Sequence, residues 1–501
     1  GCIIMDKTIL KLKSGTDIRG VALEGEPNQP VQLTDDVVYG ITRAFAKWLS
    51  EKCGSRSLTV AVGRDCRLSG ERIEGKVVAA LADSGFAVVR CGLCTTPAMF
   101  MTTVLKNCDA SVSITASHHP YNRNGLKFFT RDGGLEGSDI TDILNIAVND
   151  GKIDGNGSVS DCAFLDEYAA YLRGMICTAL GADETAKPLS GLKFAVDAGN
   201  GAGGFYAEKV LSPLGADVSG SINLEPDGRF PNHIPNPENS YAMECACKAT
   251  LAATADLGII FDTDVDRAGA VGADGEEINR NRLVALASVL ACEDCPGGVI
   301  VTDSITSSGL KEFIEQNLHA EHYRYRRGYK NVIDKAIELC DSGKIAPLAI
   351  ETSGHAAFRS NYFLDDGAYL ITRIVIKLAQ LRAEGKTVSD LISALREPVE
   401  RKEIRFNITE EDFRPVGERV ISELERFAAS HDGWHIADDN REGIRVACDD
   451  ADGWFLLRLS VHDPVMPMNF ESDSTGGVEK MINELRGFFE SVSGIDISAL
   501  K

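Results

Sequence analysis

The feature that most limits the fold of this chain is the repeated alternation of short apolar runs with helical patterns. In the first third, strands are predicted over residues 57–62, 86–90 and 110–114, and helices over 70–83 and 97–105. Strands that alternate with helices indicate sheets flanked by helices. The sequence therefore predicts an α/β protein.

The alternation continues for most of the chain and then changes character. A helix is predicted over 166–180, strands over 192–196 and 298–301, and a helix over 372–384. The last part instead has one predicted helix, over 414–429, and two predicted strands with alternating apolar residues, over 443–448 and 454–459. A length of 501 residues predicts three or four domains. We predict four, over residues 1–160, 161–275, 276–396 and 397–501.

Charge and cysteine usage limit the partners and the compartment. A net charge of -22 argues against nucleic acid or an anionic membrane as partner. The sequence has no apolar run of about 18 residues, so no membrane span is expected, and its N-terminus is too short for a signal peptide. Fourteen thinly spread cysteines are typical of a reducing cytosol, which predicts a cytoplasmic protein.

Two pairs of cysteines have a spacing that occurs in zinc sites. They are Cys91 with Cys94, and Cys292 with Cys295. With fourteen cysteines, chance pairs are expected, and neither pair has a partner set of His or Cys nearby in the sequence. We therefore predict neither a zinc site nor a redox site there.

A hydroxyl nucleophile is predicted at Ser117. The apolar run 110–114 leads into a polar turn, Thr115 to Pro120, with His118 beside the serine and Lys127 a few residues further on. A strand that delivers a serine into such a turn exposes its oxygen for covalent chemistry. An ordinary surface turn is the alternative.

A second apolar run, 257–261, ends in carboxylates at alternate positions, Asp262, Asp264 and Asp266. In an extended segment all three would point to one side, and like charges so close need a cation between them. Few protein ligands, all of them oxygen, favour Mg²⁺. A helix-loop-helix Ca²⁺ loop is excluded because its sixth and twelfth positions are Arg267 and Ala273. A solvated acidic turn remains an alternative.

Together these segments resemble the α-D-phosphohexomutase family, whose phosphoserine loop contains Thr-x-Ser-His-Asn-Pro and whose metal loop contains Asp-x-Asp-x-Asp-Arg. Five further segments resemble family motifs in the family's order: residues 14–20, 62–70, 197–203, 351–355 and 458–464. The resemblance implies three similar α/β domains with mixed sheets flanked by helices. It also implies a smaller α+β C-terminal domain and a central cleft.

The resemblance implies a phosphohexomutase that interconverts hexose 1-phosphate and hexose 6-phosphate, with glucose or mannose as the sugar. Phosphorylated Ser117 would donate its phosphoryl to the substrate, and a hexose 1,6-bisphosphate would be both intermediate and activator. Mg²⁺ would bind this serine together with the three aspartates. Sugar phosphates would be the partners of a monomer or dimer.

The resemblance also implies roles for basic residues. Arg19, Arg64 and Arg267 would bind the transferring phosphoryl. Lys127 is the first candidate for proton transfer and His118 the second. As alternatives, Arg19 and Arg64 could merely tie loops through ion pairs with neighbouring aspartates, and Lys127 could be a solvated loop lysine.

Substrate recognition is expected in two loops near the end of the chain. Glu351 and Ser353 would bind sugar hydroxyls, and His355 would be a further contact, a wall or a hinge. Arg458, Ser460 and His462 would bind the distal phosphate. Arg327 belongs to a basic cluster that an acidic protein needs in order to bind an anionic substrate; the cluster comprises Arg324, Arg326, Arg327 and Lys330.

The chain departs from the family pattern mainly in the recognition loops. His462 stands at a Thr position, which would make phosphate affinity pH-dependent. Tyr329 stands where many members have His, and Ile350 where a Gly is usual. Thr352 stands where phosphoglucosamine mutases carry Gln. A phosphoglucosamine mutase and a non-catalytic sugar-phosphate-binding relative remain alternatives, although intact Ser117 argues against the latter.

Overall fold

The computed structural model describes residues 5–461 and 463–500, which form two compact units. The first unit extends to Asn279 and adds Ser353–His355 and Leu364–Val388. The second contains Arg280–Thr352, Ala356–Phe363 and the described residues from Ser389 onwards. No helix among the described residues is long and apolar enough to cross a membrane.

The first sheet of the first unit is mixed. Its strands are β1 Lys13–Ser14, β2 Asp17–Val21, β3 Thr59–Arg64, β4 Ala87–Leu93, β5 Ala110–Ile114, β6 Arg123–Thr130, β7 Gly133–Gly134 and β8 Ser158–Asp161. They pair in the order β1-β2-β6-β5-β3-β4-β8, with β7 on β6. β3, β4, β5 and β8 are parallel to one another, whereas β6 is antiparallel to both β5 and β2.

Helices pack on this sheet because their apolar faces match its buried residues. They are α1 Asp35–Cys53, α2 Gly70–Asp83, α3 Thr96–Leu105 and α4 Gly137–Val148. The Thr34 side chain caps α1 by accepting a hydrogen bond from the Val37 N–H, and Gly54 ends it in a left-handed conformation. In the core, the rings of Phe45 and Phe128 stack at 4.4 Å.

The second sheet of the first unit is smaller and also mixed. It contains β9 Phe194–Asp197, β10 Leu257–Phe261, β11 Ala268–Gly272 and β12 Glu277–Ile278, in the order β12-β11-β10-β9. β10 is parallel to β9 and antiparallel to β11. The helices of this region are α5 Phe164–Leu180 and α6 Ser240–Ala252.

The second unit contains a third mixed sheet. Its strands β13 Val299–Thr302, β14 Glu321–Arg324, β15 Leu348–Ile350 and β16 Ala356–Phe358 pair in the order β14-β13-β15-β16. The accompanying helices are α7 Asn281–Asp294, α8 Ser308–Glu312 and α9 Tyr329–Asp341. Next in the chain, β17 Leu364–Asp365 and α10 Gly367–Arg382 return to the first unit.

The C-terminal sheet of the second unit is antiparallel. It contains β18 Glu400–Ile408, β19 Trp434–Ile436, β20 Ile444–Cys448, β21 Gly453–Leu457, β22 Val465–Ser472 and β23 Ile495–Asp496. The order is β19-β20-β21-β22-β18-β23. Its helices are α11 Phe413–Ala429 and α12 Gly477–Ser491, so the expectation of one helix was incomplete. Three mixed-sheet domains and an antiparallel C-terminal sheet confirm the predicted fold class.

Candidate active site

Ser117 lies in a turn that is fixed by the strand before it. All five residues of β5 are buried, and the chain turns directly after them. The Ser117 N–H donates to Thr115 Oγ1 at 2.9 Å, and Ser117 has a left-handed φ of 51°. For a residue with a side chain this backbone is costly, and such strain is typical of functional sites. The turn thus holds a buried serine in a defined conformation.

Three groups surround the hydroxyl of Ser117. Its Oγ lies 3.4 Å from Asp262 Oδ2, 3.4 Å from Arg267 Nη2 and 3.4 Å from His118 Nδ1. These distances are at the long end of hydrogen bonding. The structure therefore brings the predicted nucleophile together with one predicted metal ligand and one predicted phosphoryl-binding arginine.

The three aspartates converge at the carboxyl end of β10. One carboxylate oxygen from each of Asp262, Asp264 and Asp266 lies within 4.8 Å of the others, and all three residues are buried. Within residues 5–461 and 463–500 this is the only such group of His, Cys, Asp or Glu.

The aspartate group fits a hard cation. Asp264 Oδ1 and Asp266 Oδ1 are buried and accept no hydrogen bond from any described residue. Leaving such oxygens without a partner is costly, and a cation would satisfy both. The other oxygen of Asp264 accepts a hydrogen bond from Thr96 Oγ1 at 2.5 Å, which orients the carboxylate. An all-oxygen set with three protein ligands suits Mg²⁺.

Burial and mutual repulsion perturb these carboxyl groups. Burial, and next the neighbouring carboxylates, raise the pKa of Asp262 well above its usual range. Burial, and next Asp266, raise the pKa of Asp264 to about 6. Burial also acts to raise the pKa of Asp266, but His355, whose Nε2 lies 3.6 Å from Asp266 Oδ2, outweighs it, and the pKa is lowered. The cluster is therefore short of positive charge.

Arg267 connects the loop of the three aspartates, residues 262–267 (called the metal loop below), to the loop of Ser117, residues 115–123 (called the serine loop). Its Nε lies 3.1 Å from Asp262 Oδ2, and its Nη2 donates to His118 Nδ1 at 2.6 Å. Burial, and next the charge of Arg267, lower the pKa of His118 to about 2. His118 is therefore neutral at physiological pH, with Nδ1 as an acceptor.

The other basic residues predicted for this site differ in their surroundings. Lys127 lies buried in β6, and its charge acts to lower the pKa of Asp264 and of Asp266. Arg19 in β2 pairs with Asp17 at 3.0 Å, and its charge helps to lower the pKa of His118. Arg64 is held by two glutamates of α2, Glu71 at 3.1 Å and Glu74 at 3.3 Å. Lys127 and Arg19 thus act electrostatically on the serine and metal loops, whereas the ion pairs of Arg64 are with α2.

Two of the predicted substrate residues belong to the first unit. Ser353 Oγ lies 2.8 Å from His355 Nδ1, and the backbone of His355 bridges to that of Arg267. Gly354 between them has a φ of 98°, and a Cβ there would lie 2.7 Å from the Ala268 carbonyl. Only glycine allows this close approach. The structure thereby places His355 against the metal loop.

Glu351 and Arg327 belong to the second unit. Buried Glu351 accepts a hydrogen bond from the Gly328 N–H at 2.7 Å, and Arg327 Nε lies 3.4 Å from Asp303 Oδ2. Burial is the main cause that raises the pKa of Asp303 to about 6, against the opposing charge of Arg327. The loop that carries Arg327 and Gly328 is therefore fixed by two buried carboxyl groups. Tyr329, one of the departures from the family pattern, begins α9 and packs against the core there.

The predicted distal-phosphate residues lie in the C-terminal part of the second unit. Arg458 is buried, its Nη1 is 3.8 Å from Glu442 Oε1, and its Nε has no hydrogen-bond partner among the described residues. Ser460 Oγ accepts a hydrogen bond from the Asp463 N–H at 3.4 Å. His462 is outside the described residues. A buried guanidinium with an unused donor suits an anion.

Sequence reasoning missed the carboxylates that support these residues. Glu442 Oε2 accepts hydrogen bonds from Ser304 Oγ at 2.6 Å and from the Arg327 N–H at 2.8 Å. It therefore links the Arg458 region to the Arg327 loop. No local pattern marks Glu442 or Asp303, because their partners are far away in the sequence.

Comparison with known proteins extends the similarity over nearly the whole chain. Models for phosphoglucomutase/phosphomannomutase, alpha/beta/alpha domains I, II and III, match residues 11–152, 166–275 and 279–399. The chain is 30% identical over 478 residues to the phosphoglucomutase of Neisseria gonorrhoeae, covering 95% of this chain and 96% of that protein.

Solved structures agree with the fold. A phosphoglucomutase/phosphomannomutase family protein from Burkholderia thailandensis superposes with a TM-score of 0.80 at 28% identity, over 97% of this chain and 99% of that one. The Aspergillus fumigatus N-acetylphosphoglucosamine mutase in complex with GlcNAc-6P and magnesium has a TM-score of 0.56 at 12% identity. There the match covers 96% of each chain. The latter likeness shows the fold alone.

Proposed function

This chain belongs to the phosphoglucomutase/phosphomannomutase family of isomerases, and on that basis we propose that it interconverts hexose 1-phosphate and hexose 6-phosphate of glucose, mannose or both. A phosphoserine at Ser117 is the proposed phosphoryl carrier, and a hexose 1,6-bisphosphate is the proposed intermediate and activator.

One observation carries this proposal. The hydroxyl of Ser117 lies 3.4 Å from both Asp262 Oδ2 and Arg267 Nη2, at the edge of the aspartate group. Phosphoryl transfer depends mostly on positioning and on neutralising the charge of the transferring group. A serine oxygen, a cation-binding carboxylate group and an arginine in one place provide these elements.

Asp262, Asp264 and Asp266 would hold Mg²⁺, together with an oxygen of phosphorylated Ser117. When bound, the cation would withdraw charge from the phosphoryl as a Lewis acid. The support is the fit to a cation of two buried oxygens that accept no hydrogen bond from a described residue, Asp264 Oδ1 and Asp266 Oδ1. Magnesium in the distant Aspergillus relative is consistent with this assignment.

The chain's own residues would carry out the transfer as follows. The substrate hydroxyl attacks the phosphorus of phosphorylated Ser117, the bond from phosphorus to Ser117 Oγ breaks, and a sugar bisphosphate forms. Lys127, in its neutral form, accepts the hydroxyl proton and delivers it to the departing Ser117 Oγ, and the reverse transfer retraces both proton movements. Arg267, with Arg19 and Arg64 as further candidates, stabilises the negative charge of the phosphoryl. Neutral His118 fixes the Arg267 guanidinium by accepting its hydrogen bond.

Recognition of the rest of the substrate is assigned to the two loops near the end of the chain. Arg458, with Ser460, His462 and Arg327, would bind the distal phosphate. Glu351 and Ser353 would bind sugar hydroxyls, and His355 would support them. Arg458 is the best-supported member because it is buried and has an unpartnered Nε.

The remaining features are also proposals. Each cysteine that the structure describes is a free thiol, which favours the cytoplasm. The four domain boundaries and a monomer or dimer stay predictions. A phosphoglucosamine mutase and a non-catalytic sugar-phosphate-binding relative are the alternative functions.

The test is an isomerase assay of the purified protein against a panel of hexose 1-phosphates, each with its 1,6-bisphosphate. The proposal expects turnover of the glucose or mannose phosphate, and loss of turnover in Ser117→Ala. Turnover of glucosamine phosphate alone would favour the first alternative function. Absence of turnover of every sugar, with binding retained, would favour the second.

A further inference from the structure

Arg67 is a buried arginine in the turn that follows β3. Its side chain is 0% exposed, and it lies three residues after Arg64 in the motif at residues 62–70. A fully buried guanidinium is rare because its desolvation is costly unless every charge and hydrogen bond is compensated. Most of the compensation here comes from the serine loop, and Nε, which forms no hydrogen bond with a described residue, lies beside the Asp65 carboxylate.

The guanidinium of Arg67 binds four backbone carbonyls of that loop. Its Nη1 donates to the Pro120 carbonyl at 2.8 Å and to the Arg123 carbonyl at 3.0 Å. Its Nη2 donates to the His119 carbonyl at 2.8 Å and to the Ser117 carbonyl. One side chain thus fixes the backbone from the nucleophile to the start of β6. The planar fork of an arginine can do this, whereas a single ammonium cannot.

Asp65 completes the arrangement and is also fully buried. Its Oδ2 lies 3.3 Å from Arg67 Nε and accepts a hydrogen bond from Thr115 Oγ1 at 2.7 Å. Thr115 Oγ1 in turn accepts from the Ser117 N–H. Asp65 and Arg67 therefore hold the serine from both sides, through its N–H and through its carbonyl.

We propose that Arg67 is a positioning residue for phosphoryl transfer, which holds the loop from Ser117 to Arg123 in the conformation that presents Ser117 Oγ. The inference rests on the proposed function, in which this oxygen carries the phosphoryl. The left-handed backbone of Ser117 costs free energy and persists only where its surroundings over-determine it. The four carbonyl contacts supply that constraint without touching the reacting atoms.

The decisive variant is Arg67→Lys, which keeps the charge but not the fork. A misplacement of about 1 Å at a reacting group costs roughly a hundred-fold in rate. We expect kcat to fall by about that factor and KM to change by less than about three-fold, because Arg458 and Glu351 are untouched. The ³¹P resonance of the phosphoserine should shift or broaden. Guanidinium ion should rescue kcat in Arg67→Ala.

Arg43 offers a matched control. It is buried in α1 of the same domain, donates to the Ile153 carbonyl and pairs with Asp154, far in sequence from the serine loop. Arg43→Lys should lower the melting temperature but leave kcat within about two-fold of wild type. Equal kcat losses in the two variants would show that Arg67 acts only through stability, and would overturn the inference.

A second variant serves if the Arg67 proteins do not fold. Asp65→Asn keeps the shape of the side chain but removes the charge that holds the guanidinium, so kcat should again fall selectively. Unchanged kcat would overturn the inference.

Ser117→Ala separates the proposed function from the positioning role of Arg67. If it stays active, the proposed function is wrong; if it is inactive while Arg67→Lys has wild-type kcat, only the positioning role is wrong.

Discussion

Arg267 Nη2 lies 2.6 Å from His118 Nδ1, which makes the histidine an acceptor and not an acid at this nitrogen. His118, the second candidate for proton transfer, thus orients Arg267 beside the nucleophile.

This relationship predicts different outcomes for two substitutions of His118. His118→Asn keeps an oxygen that can accept from Arg267 and should retain kcat/KM within about ten-fold of wild type. His118→Leu removes the acceptor, and losing a hydrogen bond to a charged group costs about 1.5–3 kcal/mol, so a ten- to hundred-fold loss is expected. Equal losses, measured by steady-state kinetics, would contradict the acceptor role.

The aspartate group predicts dependence on an exchangeable divalent cation. Chelation should abolish activity and Mg²⁺ should restore it. Asp264→Asn should weaken Mg²⁺ binding by about ten-fold or more, since even the loss of a residue that only supports a metal ligand lowers metal affinity by about 10–100-fold. Titration calorimetry measures this directly. Asp274→Asn, at an exposed turn, is the control and should bind Mg²⁺ as wild type does. Activity that resists the chelator would rule out the assignment.

Arg458 predicts a loss of binding that is shared by both substrate orientations. Arg458→Ala should raise KM for hexose 1-phosphate and for hexose 6-phosphate by about ten- to a hundred-fold. Arg405, an exposed residue of β18 in the C-terminal sheet, is the control, and Arg405→Ala should leave KM unchanged. A normal KM and kcat in Arg458→Ala would mean that the distal phosphate binds elsewhere.

Removing the charge of Glu442 should raise the affinity of the site for anions. Its Oε1 lies 3.8 Å from Arg458 Nη1, so it offsets the charge that an incoming phosphate needs. Glu442→Gln keeps an acceptor for Ser304 or Arg327 but removes the charge, and inorganic phosphate should inhibit about five-fold more tightly, or by about 1 kcal/mol. Glu490→Gln in α12 should not change inhibition. Weaker inhibition in Glu442→Gln would show that the carboxylate supports the phosphate site.

A buried ion pair predicts pH-dependent stability in the second sheet region. His233 Nε2 lies 2.8 Å from Asp197 Oδ2. Burial opposes protonation, but the hydrogen bond and charge of Asp197 outweigh it, so the pKa of His233 is raised. The stabilisation is therefore full below the unfolded-state pKa, near 6.5, and is lost as pH rises through the folded value. The melting-temperature difference between wild type and His233→Gln should shrink from pH 5.5 to 8.5; a constant difference would contradict it.

Local patterns predicted three of the eight strands of the first-sheet region and two of its four helices. The helix at 70–83 and the strand at 110–114 were predicted with the observed bounds because each has a strong period and a clear turn beside it. Helix α12 was missed. It begins at Gly477, after the N-cap residue Gly476, so the capping side chain that often marks a helix start is absent.

The structure brings several of the predicted site residues together, but in a geometry that differs from the expected one. The three aspartates were expected to point to one side of an extended segment, but Val265 has a φ of 64° and the carboxylates converge around a turn. Arg64 forms ion pairs with Glu71 and Glu74, whereas the alternative considered for it was an ion pair with a neighbouring aspartate. Such details depend on tertiary contacts, which no local pattern encodes.

The most direct test of the account is a single-turnover experiment on the phosphorylated enzyme. Enzyme with phosphate mapped to Ser117 is mixed with a stoichiometric amount of hexose 6-phosphate and quenched rapidly. Intact-protein mass and sugar-phosphate analysis then follow both products. The account predicts that phosphate leaves Ser117 as hexose 1,6-bisphosphate appears, in equal amounts. Bisphosphate formed by Ser117→Ala, or phosphate mapped to another residue, would contradict it.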